Sequence, residues 1–262
     1  MVAIAIAART LSAAPAPQGD ELERMQEQLA AAGPDGKEVR ELAIDRILQS
    51  PRLQVHELLY RRLRLLDDPD QVRLQVATSL QRHFLQPATQ YFGGVTGAER
   101  ERVLAGYLAA AARCWRGDGG LAVEDGPDPV QKAARMALMR VPARDLDGAA
   151  RSLFATATVE EQLDVLRCLA DLQQVLFAST IAERLDAADE SLREGARAAL
   201  QRLTCHETPI ADKAAFTTWY QQYGTWRYVD LVERAARRGT RPLEEMQQRM
   251  AALQIAAACD VV

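Results

Sequence analysis

Aromatic side chains are scarce, at 5% of the chain, and strict apolar–polar alternation over five or more residues is hard to find. Sheets draw on Val, Ile, Thr and aromatics in a two-residue period, so a strand-based fold is not supported. No run of about 18 apolar residues exists, so no membrane-spanning helix is expected. The four cysteines, Cys114, Cys168, Cys205 and Cys259, stand far apart and form no C-x-x-C pair. Metal sites usually show close ligand pairs, and disulfide frameworks belong to shorter chains. Isolated thiols are therefore expected, with no metal and no other cofactor. Neither sign of charge dominates: 32 basic and 36 acidic residues are interspersed, for a net charge of −4. A nucleic-acid binder needs a positive field, so nucleic acid is not expected as a partner. The phosphate-loop, zinc-protease, nucleophile-elbow and dinucleotide motifs are all missing. No catalytic residue is assigned, and the chain is not expected to be an enzyme.

What is present points to helices. Hydrophobic residues make up 48% of the 262, and alanine, the best helix former, is abundant. Leu22, Met25 and Leu29 form one apolar face behind a capping Asp20, and Gly33-Pro34-Asp35-Gly36 stops that helix. Helical patterns follow over 39–48, 53–66, 71–84, 99–115, 129–139, 144–156, 159–173, 175–186, 189–203, 210–223 and 228–238. Residues 86–97 and 117–127 read as irregular connectors rich in Gly. Val2 to Ala8 is a short apolar run, and Leu11-Ser-Ala-Ala-Pro-Ala-Pro17 follows it like the end of an export signal. Arg9 interrupts the run and no basic residue precedes it. Residues 1–19 are read as a disordered tail or the remnant of such a signal, with export slightly favoured over a cytoplasmic location.

A template recurs along the chain: an apolar residue, another four on, a small or apolar residue at plus seven, and Leu at plus eight. Val72, Val76, Ser79 and Leu80 fit it, as do Val130, Ala134, Ala137 and Leu138, and Leu192, Ala196, Ala199 and Leu200. Weaker copies end in Ile44, Ile47 and Leu48, in Leu104, Tyr107 and Leu108, and in Val165, Cys168 and Leu169. The closing leucines lie 32, 28, 30, 31 and 31 residues apart. A period near that length holds two short helices and two turns. One such pair cannot hide its apolar face alone, and stacking the next pair covers it.

The strong copies run Asp70-Gln-Val-Arg-Leu-Gln-Val-Ala77, Asp128-Pro-Val-Gln-Lys-Ala-Ala-Arg135 and Asp189-Glu-Ser-Leu-Arg-Glu-Gly-Ala-Arg-Ala-Ala-Leu200. They resemble the signature of HEAT repeats, notably the short bacterial type. The resemblance implies an all-α fold, an α-solenoid of stacked antiparallel helix pairs, over residues 20–240. Residues 203–240 resemble a closing segment of large bacterial HEAT-repeat proteins, which usually has Gly where Cys205 stands. Residues 241–262 form a terminal helix or the start of a further region. Leu243, Met246, Met250, Leu253 and Ala257 make a short heptad seam there, and the sequence is read as a possible fragment. For function, the resemblance implies a non-catalytic scaffold with an unidentified protein partner. The alternatives are a HEAT-type enzyme, such as a bilin lyase-like protein or a DNA glycosylase, and a structural spacer in a larger exported protein.

Other constellations are weighed against plainer roles. Cys205-His206 is an adjacent thiol–imidazole pair, but sequence neighbours on a helix point apart. His56 and His83 fall on neighbouring helices and could face each other in a stacked pair; they lack a third metal ligand, so surface or capping roles are preferred. Trp219, Tyr220, Tyr223, Trp226 and Tyr228 cluster as a plug for the end of the stack or as a peptide groove, the plug being preferred. Arg234, Arg237, Arg238 and Arg241 share a face near a helix C-terminus, where cations are stabilised. Arg61, Arg62 and Arg64 form a second basic group.

Overall fold

The computed structural model describes residues 19–32, 35–64, 70–114, 129–205 and 210–237. Among them every regular element is helical and no strand occurs. The helices are α1 (Gly19–Leu29), α2 (Gly36–Leu48), α3 (Leu53–Arg64), α4 (Asp70–His83), α5 (Gly97–Cys114) and α6 (Pro129–Arg140). They continue with α7 (Ala143–Phe154), α8 (Val159–Asp171), α9 (Phe177–Ala182), α10 (Glu190–Thr204), α11 (Lys213–Tyr223) and α12 (Tyr228–Arg237). Two 3-10 turns, Ala88–Gly94 and Glu183–Asp186, interrupt the series.

Local sequence explains many of the ends. Thr158 accepts from the Glu161 amide while Glu161 reaches back to the Thr158 amide, a reciprocal cap that opens α8. Asp189 accepts from the Leu192 amide and Asp212 from the Ala215 amide, opening α10 and α11. The helix α1 begins at Gly19, so Asp20 lies inside it rather than ahead of it. The stretch 175–186, expected as one helix, is a short α9 that tightens into a 3-10 turn.

Alternate helices pack on one another. In one row α2 meets α4 and α4 meets α6; separately, α8 meets α10 and α10 meets α12, with α8 also packed on α5. In a second row α3, α5, α7 and α9 touch in succession, and α11 meets the Glu183–Asp186 turn. Every described position of the recurring template is buried except Val72, which is half-buried. The template therefore marks the inward stripe of each helix.

One copy of the template does not sit where its spacing implies. Leu80 and Leu138 lie on α4 and α6, which pack directly together. Leu108, between them in sequence, lies on α5 in the other row. The cause is the burial of α5, where Val103, Leu104, Ala105, Tyr107, Leu108 and Ala109 to Ala112 are all shielded from solvent. A helix covered on most of its circumference matches any inward stripe. Its alanines let α3, α6, α7 and α8 come close at once. Gly106 is needed for the same reason: a Cβ there would lie 2.3 Å from the Tyr60 ring.

Polar ties connect the layers. Arg40 donates to Gln75, and Gln75 donates to the Lys37 carbonyl, joining α2 to α4. Arg100 pairs with Asp145 and Arg202 with Asp171. Arg151 bridges Asp147 and Glu183, and Lys213 pairs with Asp186. Arg64 reaches Glu161 at 2.6 Å, across 97 residues of sequence. Such partly exposed pairs contribute at most about 1 kcal/mol each, so they fix register more than they stabilise.

Candidate functional site

His56, His83, Tyr91 and Tyr107 are buried together inside the molecule, where α3, α4, α5 and the Ala88–Gly94 turn converge. His56 and Tyr107 are fully buried, and His83 nearly so. The structure therefore corrects the expectation that the two histidines are surface or capping residues. It brings both against one ring: Phe92 lies 5.1 Å from His56 and 5.3 Å from His83, and stacks on Tyr107 at 5.6 Å. Tyr60, Phe84 and Tyr91 complete the aromatic shell.

Hydrogen bonding fixes the protons. His56 Nε2 lies 2.9 Å from the Ser50 carbonyl, which only accepts, so Nε2 carries the hydrogen. His56 Nδ1 then accepts from the Tyr107 hydroxyl at 2.9 Å. The Phe92 amide donates to His83 Nε2 at 3.2 Å, so that nitrogen must be bare and the hydrogen sits on Nδ1. Both rings are neutral, in opposite tautomers. Burial pushes His56 down to about 4, with the Ser50 bond opposing it. Burial also lowers His83 to about 4, and the facing His56 adds to the effect. Burial pushes the Tyr60 and Tyr107 phenols up, so they stay protonated.

The backbone of the turn is strained to reach this position. Phe92 has φ 52°, a left-handed conformation that costs a non-glycine residue about 1–2 kcal/mol. Gly93 follows at φ 68°, and a Cβ there would meet the Gln49 carbonyl at 2.5 Å. By sequence alone residues 86–97 are only a connector, and little there marks Tyr60, Tyr91, Phe92 and Tyr107 as partners of the histidines. The one local signal was a Tyr-Phe pair placed directly before Gly-Gly. Among the described residues no three His, Cys, Asp or Glu side chains gather as a metal-binding group. No described helix is long and apolar enough to cross a membrane.

The other expected constellations lie elsewhere in the fold. Phe216, Trp219 and Tyr223 are buried on α11, Tyr228 is buried on α12, Tyr220 is half-buried, and Trp226 is 38% exposed. Neighbouring rings pack in series, and Arg234 lies over Tyr223 at 4.0 Å. Most of this cluster is thus turned inward, with Trp226 as its exposed edge. Arg64 is paired with Glu161, whereas Arg61 is exposed. The Arg237 side chain, Arg238, Arg241 and the heptad seam of 241–262 lie outside the described residues. So do residues 1–18, His206 and Cys259.

Cys205 is the C-cap of α10 at φ 52°, ψ 29°, the conformation in which helices commonly end on glycine. The thiol is buried, as are those of Cys114 and Cys168, and none of the three is in a disulfide. Burial pushes the Cys168 thiol up, away from the reactive thiolate. Cys205→Gly is expected to stabilise the fold by up to about 1 kcal/mol, because glycine adopts this backbone without a Cβ penalty. A urea midpoint lower than that of the parent would show that the buried thiol outweighs the strain.

No family model matches this chain, and no curated protein matches it in sequence.

Proposed function

We propose that this chain is a non-catalytic protein–protein interaction scaffold, built as an α-solenoid of HEAT-like helix pairs. The packing of alternate helices into two rows carries the reading: α2, α4 and α6 in one, and α3, α5, α7 and α9 in the other. Stacked pairs add one strip of surface per layer and so offer an extended face to a partner. The pairs Arg100–Asp145, Arg151–Glu183 and Lys213–Asp186 run along the second row and hold its members in register. A surface already ordered before binding loses less conformational freedom on association. The contact of α8 with α5, and of Glu161 with Arg64, thickens the middle of the stack beyond nearest neighbours.

The test uses the three lysines, Lys37, Lys132 and Lys213, which fall on α2, α6 and α11. An elongated stack keeps Lys37 and Lys213 apart, so a short amine-reactive cross-linker should not join them within one chain. A high-yield Lys37–Lys213 link within the monomer would overturn the solenoid. For the scaffold role, proteins captured by the whole chain should bind it saturably when both are purified, as read by calorimetry. Loss of every captured protein at that purified stage would overturn it.

A further inference from the structure

We propose that the Ala88–Gly94 turn is an acid-released latch, held shut by neutral His83 and His56 and freed from the core when His83 takes up a proton. Three observations carry it. The Phe92 amide donates to His83 Nε2. Phe92 is completely buried between the two imidazoles. The turn is held in a left-handed path at Phe92, Gly93 and Gly94 that its own sequence does not favour throughout.

The two histidines respond differently to a proton. Protonated His56 can keep both of its bonds, since the Tyr107 hydroxyl can rotate and accept from Nδ1. Protonated His83 cannot: Nε2–H would then point at the Phe92 N–H, donor against donor. A buried cation without an acceptor is strongly disfavoured, and solvating it requires the turn to leave. A charge on His56 raises this pressure, because the two rings act on each other.

The groups around the pair set the conditions. Tyr60 lies beside His56 on α3, with Glu57 acting on it. Tyr107 faces from α5, and Tyr91 from the turn itself. Asp145 on α7 and Arg100 on α5 act on Tyr91, and Arg100 also donates to the Ala88 carbonyl. The α2–α3 connection contributes the Gln49 and Ser50 carbonyls. Asp145 and Glu57 are therefore the carboxylates to separate from the histidines in any pH experiment.

Hydrogen exchange of the whole chain, compared as protection factors at about pH 7.5 and about pH 4.5, reads the latch directly. Peptides covering 84–96 should lose protection at least about tenfold while α8 and α10 keep theirs. His83→Gln supplies a carbonyl acceptor that does not titrate, so that variant should stay shut in acid, and Asp145→Asn should open as the parent does. Unchanged protection over 84–96, loss shared equally by all helices, or acid opening of His83→Gln would each overturn the proposal. If His83→Gln does not fold, imidazole nitrogen NMR of the parent decides. His83 should be the Nδ1–H tautomer at neutral pH and should become doubly protonated together with opening. Protonation of His83 with the turn still closed would overturn the latch.

Discussion

Phe92→Ala is expected to lower the unfolding free energy by about 3–5 kcal/mol, the range for deleting a fully buried phenyl ring. The ring is 0% exposed and touches rings from α3, α4, α5 and its own turn. Its removal leaves a cavity at the meeting point of those elements. It also leaves the left-handed backbone at position 92 without the packing that offsets its strain. Domains are stable by only about 5–15 kcal/mol, so this one change removes a large share. Phe92→Leu, which keeps much of the volume, should lose clearly less. Urea denaturation of both variants decides the matter: a shift below about 1 kcal/mol for the alanine variant means the ring is not central to the core.

Acidification is expected to have the second large effect. The histidines are held near 4 in the folded chain, against an ordinary value of 6.5. Between those values the unfolded chain binds more protons, so stability falls as pH falls. The stabilising effect of neutrality is fully present above pH 6.5 and is lost progressively on the way down to 4. Each ring accounts for about 3 kcal/mol over that window, and mutual repulsion makes the two unequal. Unfolding free energies measured in urea across this range should slope downward toward acid, and His83→Gln should remove about half of the slope. A flat profile between pH 6.5 and 4 contradicts neutral buried histidines.

Helix periodicity was legible because apolar stripes and caps are local. The pattern read over 159–173 is α8 with its Thr158 cap, and the pattern read over 189–203 is α10 with its Asp189 cap. The inward face was legible too, since the template residues are the ones that become buried. Which helix packs on which was not. The Leu108 copy matches the template yet sits in the opposite row, because a nearly encircled helix satisfies every stripe at once. The aromatic partners of the two histidines were not legible for a different reason. His56 meets Tyr107 across 51 residues of sequence, and neither residue type at either position signals the other. Phe92 gave no warning of its left-handed backbone, which its buried ring and the amide bond to His83 hold in place.

The position of α5 bears on how the molecule comes apart. Where each element leans only on the next, melting proceeds stepwise from either end. Here α5 leans on α3, α6, α7 and α8 together. The flanks, from α10 outward, can fray one helix at a time, whereas the middle must dissolve as a single cooperative block. Whatever loosens α5 therefore acts on half the molecule at once, and the turn at 88–94 is the piece of chain that leads directly into it.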